Sequence, residues 1–144
     1  MKILLAIASV LLLAACATEE QLERDRLTDE IEARVKLPLG ARKLADYARY
    51  YAFDKGGMVV GVYAPGYARP NPDDACGELL GDMSIREIPC PSAPKGDDLL
   101  AGQRGWRNSS RELPLIADGG CSVVTLLYDP KIGAVKKVEC NGEA

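Results

Sequence analysis

Cysteine is the residue type in this chain that can take part in the most kinds of reaction. The spacing of the cysteines limits which of these reactions are expected. The 144 residues include 5 cysteines and no histidine. An ionised thiol attacks electrophiles and binds metals, and a pair of thiols forms a disulfide. The absence of histidine excludes Ser-His-Asp and Cys-His catalysis and any His-ligated zinc or haem site. No CxxC spacing, the usual arrangement in redox and zinc sites, is present. We therefore predict no cofactor and expect the cysteines to carry covalent modification or disulfides.

Cys16 stands at the end of a short apolar segment. Lys2 precedes the run Ile3–Leu13, in which Ser9 is the only polar residue, and small residues follow. Secretory signals have this order, and a transmembrane helix needs about 20 apolar residues, more than this segment holds. The sequence Leu13-Ala14-Ala15-Cys16 resembles the lipobox of bacterial lipoproteins. The alternative is an ordinary secretory signal that happens to have a cysteine after its small residues.

The lipobox resemblance implies a location. It implies that residues 1–15 are a cleaved signal peptide, that the Cys16 sulfur receives diacylglycerol, and that fatty acids such as palmitate are added there. Two or more acyl chains hold a protein stably on a membrane. The family often uses aspartate after the cysteine for retention in the inner membrane, whereas this chain has Ala17. We expect a lipid-anchored protein of the bacterial cell envelope, in the outer membrane and facing the periplasm.

The other cysteines are even in number, as expected for disulfides in an exported chain. Three pairings are open, and we favour Cys76–Cys90 with Cys121–Cys140, because each pair is close in sequence. A loop of about 15 residues closed in this way contributes roughly 3 kcal/mol. A metal or redox site is the alternative.

Two clusters of aromatic and basic residues are candidate binding surfaces. Tyr50 and Arg49 lie among several tyrosines, and Trp106 and Arg107 lie in a second cluster with Arg104 and Arg111. Tyrosine, tryptophan and arginine carry much of the energy of protein interfaces, and aromatic rings also stack on sugars. Packing within the sheet and core is the alternative for the same residues. Strand alternation puts Tyr50 on the opposite face from Tyr47 and Tyr51.

Nucleic-acid binding, metal binding and catalysis have weaker support in the sequence. The net charge of −3 argues against nucleic acid as a partner. Oxygen ligands concentrate between Asn71 and Asp82, but they lack the EF-hand pattern, so we predict a solvated acidic loop and no metal. No serine has an SxxK or GxSxG setting. Paired carboxylates remain open, since the fold decides their separation. Whether the chain is an enzyme is therefore left open, and a non-catalytic role is favoured.

The N-terminal element is predicted to be a helix. Thr18 to Gln21 has the form of a capping box, and the helix is expected from Glu19 to Val35. Leu27 and Ile31 begin a narrow apolar stripe. This pattern is typical of a solvated stalk, of a helix packing one stripe on the domain, or of a coiled coil with a partner.

Two hairpins are predicted around a long irregular segment. The first pairs Tyr47–Phe53 with Met58–Tyr63. Helical spacing is the alternative within residues 41–53. Prolines and glycines dominate residues 64–105, where Met83–Ile88 is the one expected edge strand. The second hairpin pairs 121–128 with 134–140.

These elements predict an α+β fold. We expect an N-terminal helix, a small antiparallel sheet of four to five strands, a long Pro/Gly-rich loop and two disulfides. The expected organisation is a signal peptide at 1–15, a lipidated cysteine and helical stalk at 16–40, and an α+β domain held by two disulfides at 41–144. The expected function is a non-catalytic envelope lipoprotein that binds another envelope protein or glycan. The alternative is a small periplasmic hydrolase or hydrolase inhibitor.

Overall fold

A long helix begins just after the predicted anchor. In a computed structural model, which describes residues 18–67, 75–89, 98–116 and 118–142, α1 spans Glu19–Arg34. The Thr18 Oγ1 accepts a hydrogen bond from the Gln21 amide at 3.2 Å, which confirms the predicted N-cap. The helix ends one residue before the predicted Val35. None of the helices in the described ranges is both long and apolar enough to cross a bilayer.

Seven strands form two sheets within the described residues. They are β1 (Tyr47–Phe53), β2 (Val59–Pro65), β3 (Ala75–Leu79), β4 (Ile85–Pro89), β5 (Arg104–Trp106), β6 (Gly120–Asp129) and β7 (Ala134–Asn141). The larger sheet has the order β5-β1-β2-β6-β7, and β3 pairs only with β4. Short 3-10 turns lie at Leu44–Asp46 and Ser110–Glu112. The α+β class is confirmed.

The first hairpin is formed as predicted, and strand is correct for residues 47–53. Tyr47 pairs with Pro65 and Phe53 with Val59 in antiparallel register. The Asp54 Oδ1 accepts hydrogen bonds from the Gly56 amide at 2.7 Å and the Met58 amide at 2.9 Å, which closes the turn.

The expectation of a purely antiparallel sheet is wrong, because β5 pairs with β1 in parallel. Arg49 lies opposite Arg104, and Tyr51 lies opposite Trp106. That expectation rested on strands joined mostly by tight turns. The connection from β2 to β5 covers residues 66–103, which is long enough for the chain to return beside β1 in the same direction. The sheet is therefore mixed.

The α1 helix packs one apolar stripe on one face of the sheet. Leu27 and Ile31 are fully buried there against the tyrosines Tyr47, Tyr51 and Tyr63. The opposite face has its own cluster, in which Ala48, Tyr50, Ala64, Val62 and Val123 pack with Leu99, Leu113 and Ile116. The sheet is thus covered on both sides, and β1 is buried at every residue except Phe53.

The two halves of the α1 helix differ in exposure. Between Thr18 and Arg26, every residue is exposed except Arg24, which is half-buried. These first turns span about 12 Å at 1.5 Å per residue. Burial begins only at Leu27. The N-terminal half therefore extends into solvent, while the C-terminal half packs on the sheet.

The C-terminal hairpin carries the predicted Cys121–Cys140 disulfide, with a Cα–Cα distance of 4.5 Å. Cys76 lies in β3, and its predicted partner Cys90 lies outside the described residues, so the second pairing stays a prediction. Met83–Ile88 was expected as an edge strand, and the strand found there is Ile85–Pro89, paired with β3. Much of the remaining Pro/Gly-rich loop, residues 68–74 and 90–97, also lies outside the described residues.

Removing the Cys121–Cys140 disulfide is expected to destabilise the fold. The two cysteines are 19 residues apart, so replacing both with alanine should lower the free energy of unfolding by about 3 kcal/mol. The cause is the freedom that the unfolded chain regains when the link is cut. Urea unfolding of the variant against the parent protein measures the difference. An unchanged midpoint would show that the hairpin holds this end of the sheet without the link.

Candidate functional site

Arg49, a predicted binding residue, lies beneath α1, where its guanidinium contacts both the helix and the backbone near β1 and β5. Arg49 is 8% exposed. Its Nε lies 3.0 Å from Glu32 Oε1, its Nη1 donates to the Leu44 carbonyl at 3.1 Å, and its Nη2 donates to the Gly102 carbonyl at 2.9 Å. Strand β1 places it on the same face as Tyr47 and Tyr51. Its contacts connect the helix, the sheet and the chain that enters β5.

Glu32 is the centre of this polar network. Its Oε1 also accepts a hydrogen bond from the Tyr51 hydroxyl at 2.9 Å. Its Oε2 lies 3.5 Å from Arg104 Nη1, and that same nitrogen lies 2.6 Å from Asp29 Oδ1. The Glu32 side chain is only 16% exposed. The two guanidinium groups balance the charge of this carboxylate at the boundary of the core.

Two tyrosine hydroxyls complete the network. The Tyr51 and Tyr63 hydroxyls are hydrogen-bonded at 3.2 Å, and both residues are fully buried. Burial raises the pKa of Tyr51 far above its usual range, and the neighbouring Tyr63 and Glu32 raise it further. Burial also raises the pKa of Tyr63. Both phenols therefore stay neutral wherever the protein is folded, and a substrate cannot reach them.

The buried phenols predict a loss of stability in alkali. The unfolded chain ionises its tyrosines near pH 10, while Tyr51 and Tyr63 resist ionisation when folded. Their raised pKa values contribute stability that is fully present below pH 10 and is lost as the pH rises above it. A spectrophotometric titration at 295 nm should show that at least two of the 6 tyrosines ionise only as the protein unfolds. Ionisation of every tyrosine in one step near pH 10, with the fold intact, would contradict the burial of this pair.

The other predicted binding residues lie around β1 and β5, with Tyr50 and Arg107 together on one face and Trp106 on the other. Tyr50 is on the second face, 6% exposed, and its hydroxyl accepts a hydrogen bond from the Leu99 amide at 3.0 Å. The Arg107 guanidinium covers the Tyr50 ring at 4.9 Å. Trp106 is on the helix side, where its Nε1 donates to Thr28 Oγ1 at 2.9 Å. The predicted binding residues are therefore divided between two faces, and Tyr50 and Arg49 are buried.

Trp106 joins the aromatic packing at the sheet edge. Its ring centroid lies 5.8 Å from that of Tyr51 and 5.0 Å from that of Phe53, and Arg24 lies over it at 5.6 Å. Rings at these distances contribute to stability by packing, and a cation over indole adds to it. These contacts hold the Trp106 side chain against α1 at the point where the buried part of the helix begins.

The acidic residues considered as metal ligands are only partly within the described chain. Glu78 forms an ion pair with Arg86 across the β3–β4 hairpin, and Asp82 accepts hydrogen bonds from Ser84. Asn71, Asp73 and Asp74 lie outside the described residues, as does the predicted lipidation site Cys16. Across the described ranges, no three His, Cys, Asp or Glu side chains are grouped to hold a metal ion.

The β3–β4 hairpin is the most exposed regular element. Its strands contact each other, and neither makes an extensive contact with another helix or strand of the described chain. Met83, in the turn, is 77% exposed, and Ile85, at the start of β4, is 73% exposed. Two large apolar side chains thus lie in solvent within three residues.

The turn of this hairpin is well defined. The Met83 amide donates to the Leu80 carbonyl at 3.0 Å, and the Leu80 amide donates to the Ser84 carbonyl at 2.8 Å. The Asp82 Oδ1 accepts hydrogen bonds from the Ser84 amide at 3.0 Å and from its hydroxyl at 2.5 Å. These hydrogen bonds lower the pKa of Asp82 and keep it ionised. The apolar tip is therefore held by a fixed backbone.

Sequence patterns did not predict the ion-pair partners of Glu32 or the exposure of the β3–β4 hairpin tip. The i,i+4 ion pairs of α1 follow directly from local spacing, with Arg24–Glu20 at 2.6 Å and Arg34–Glu30 at 2.9 Å. Glu32 instead pairs with residues of β1 and β5, and no local spacing indicates this. The apolar run at 83–88 was visible, but periodicity does not show whether such a run is buried.

No family model matches this chain, and none of the curated proteins or solved structures matches it either.

Proposed function

We propose that this protein is a lipoprotein of the bacterial cell envelope, anchored through Cys16, that binds another envelope component without catalysis. The observation that carries the proposal is the position of α1. The helix begins at Glu19, three residues after Cys16, and its first turns are exposed before Leu27 enters the core. Such a helix suits a short spacer between a lipid surface and a folded domain. With Ala17 after the cysteine, we place the protein in the outer membrane, facing the periplasm.

The arrangement of the ionisable groups favours binding over catalysis. Glu32, Arg49 and Arg104 balance one another's charges, and Tyr51 and Tyr63 are fully buried. A general acid or base must come within hydrogen-bond reach of its substrate. This network instead stabilises the contact between α1 and the sheet.

Crosslinking in intact cells tests the binding function. A lysine-reactive crosslinker is added to cells that produce the full-length, affinity-tagged protein, and the adducts are purified under denaturing conditions. We expect one reproducible envelope protein or glycan in adduct with the chain. The control is the same protein with Cys16→Ser, which should lose adducts that require membrane attachment. Failure to recover any reproducible adduct would overturn the binding function.

A hydrolase inhibitor is the second candidate, and the β3–β4 hairpin favours it. A hairpin that contacts the rest of the fold only weakly and exposes Met83 and Ile85 has a form that could enter the cleft of an enzyme. The predicted Cys76–Cys90 disulfide would restrain its base. Purified protein that slows neither cell-wall lytic enzymes nor proteases in activity assays would exclude this candidate and leave the anchored binding function intact.

A further inference from the structure

The tip of the β3–β4 hairpin, residues 80–87, is an apolar surface on a defined backbone. Met83 and Ile85 are 77% and 73% exposed and lie within three residues of the chain. The other strongly exposed large apolar residues of the described ranges are far apart in sequence: Leu22, Leu39, Leu115 and Ile132. Large apolar side chains that stay together in solvent mark interaction sites in soluble domains. The backbone of Gly77 leaves space for the Ile85 side chain, because a Cβ on Gly77 would lie 2.7 Å from Ile85 Cγ2.

Met83 occupies a backbone conformation that favours glycine. Its φ is +68°, in the left-handed region, while the Leu80–Met83 turn has the hydrogen bond of a β-turn. Three-residue hairpin loops of this kind normally have glycine at that last position. A methionine here is unfavourable for the turn and places a long, flexible apolar side chain at its apex. Methionine is common at surfaces that adapt to a partner.

The charge around the tip indicates the kind of partner. Asp82 and Glu87 are exposed, and the one basic residue in the hairpin, Arg86, is paired with Glu78. Among the residues that the structure describes, the charge left unpaired beside these apolar side chains is therefore negative. An anionic lipid surface repels such a tip, while a protein pocket with basic groups on its rim attracts it.

We propose that this hairpin tip inserts Met83 and Ile85 into an apolar pocket on a partner protein, with basic groups at the rim of the pocket facing Asp82 and Glu87. The inference rests on the proposed binding function and specifies its surface and the chemistry of its partner. Buried apolar anchors surrounded by complementary charge carry most of the affinity in protein interfaces.

Site-specific photocrosslinking in intact cells tests this surface with the full-length chain. The photoreactive amino acid p-benzoylphenylalanine is placed at Gly81, whose φ is not positive and whose Cβ would meet no atom within 4 Å. A parallel chain carries it at Ile132, which is 64% exposed in the β6–β7 turn. We expect irradiation to give a discrete protein adduct from position 81 and none of the same mass from position 132.

The decisive readout is the dependence of that adduct on the tip. Met83→Gly and Ile85→Ser should each lower its yield at least about tenfold, because each removes an anchor. Met83→Gly suits the backbone, so its loss of binding cannot come from a misfolded turn. Glu87→Lys should lower the yield, and Ile132→Ser, the matched control, should leave it unchanged.

The outcomes separate this inference from the function on which it rests. An adduct whose yield is unchanged by Met83→Gly and Ile85→Ser overturns the tip as the binding surface, as does an adduct with the mass of a lipid. A missing adduct at position 81, combined with a partner recovered by lysine crosslinking, overturns the tip and leaves the binding function standing. If both experiments recover nothing, the binding function fails as well.

Discussion

Replacement of Cys16 with serine is expected to transfer the protein from the membrane fraction to the soluble periplasmic fraction. A serine hydroxyl cannot form the thioether that carries the lipid. Each buried methylene contributes about 0.8 kcal/mol to membrane binding, so losing two or more acyl chains removes the anchor almost completely. The first turns of α1 are rich in charge and supply no replacement. Cell fractionation and partitioning into detergent measure the change.

Two matched variants make this experiment specific. The double variant Cys121→Ala/Cys140→Ala also loses cysteines, here the two of the C-terminal disulfide, but should stay in the membrane fraction. Ala17→Asp keeps the lipid and, by the family pattern, should move the protein from the outer to the inner membrane in a density gradient. Unchanged membrane association of the Cys16→Ser chain would overturn the lipoprotein proposal, together with the outer-membrane location.

The regular elements were predictable where their signals are local. The cap at Thr18 fixed the start of α1, and the turn at Asp54–Gly57 fixed the first hairpin. Residues 47–53 also fit helical spacing, but they form a strand because alternation buries Tyr47 and Tyr51 on one face and Ala48 and Tyr50 on the other. Cross-strand packing of several aromatic rings outweighs the helix propensity of alanine in this segment.

The parallel strand and the charge network depend on contacts that are distant in sequence. Strand β5 has only three residues, Arg104–Trp106, so it shows no periodicity of its own. It pairs with β1 because the long connection between β2 and β5, residues 66–103, brings the chain back to the β1 edge of the sheet. The carboxylate of Glu32 likewise acquires its partners only when α1 packs across β1 and β5. Neither feature has a signal within a short window of sequence.

The candidate binding residues show a different limit of sequence-based prediction, because residue type alone does not show which side chains are buried. Tyrosine, arginine and tryptophan were predicted at the surface because interfaces favour them, yet Arg49 and Tyr50 are buried. The sheet is covered on both faces, which draws its aromatic residues inward. Met83 and Ile85 would ordinarily be assigned to a core, but no helix or strand of the described chain packs extensively on this hairpin. Which apolar segments are buried is decided by the number of packed layers, and composition does not reveal that number.

Replacement of Glu32 with alanine is expected to cost about 3–5 kcal/mol of unfolding free energy. The change leaves the Arg49 guanidinium beneath α1 without its closest counter-charge, and removing one partner from a buried ion pair costs this much. It also removes the acceptor of the Tyr51 hydroxyl. Because small domains are stable by only about 5–15 kcal/mol, a large part of the total would be lost.

Trp106 gives a direct readout, since it is the only tryptophan and its Nε1 donates to Thr28 on α1. Its fluorescence during urea unfolding reports separation of the helix from the sheet. The control is Glu23→Ala, which breaks the exposed Glu23–Arg26 pair on the same helix and should leave the midpoint nearly unchanged. If Glu32→Ala costs no more than this control, the network does not hold the helix.

The double variant Glu32→Leu/Arg49→Met tests whether charge or packing provides the stability. Replacing both charged groups by apolar side chains of similar size leaves neither of them buried without its partner, so most of the lost stability should return. Some loss should persist, because the Leu44 and Gly102 carbonyls no longer receive their hydrogen bonds from Arg49. If the double variant is no more stable than Glu32→Ala alone, these hydrogen bonds are the larger contribution. Recovery would instead show that charge balance fixes α1 on the sheet, and with it the direction in which an anchored helix presents the domain.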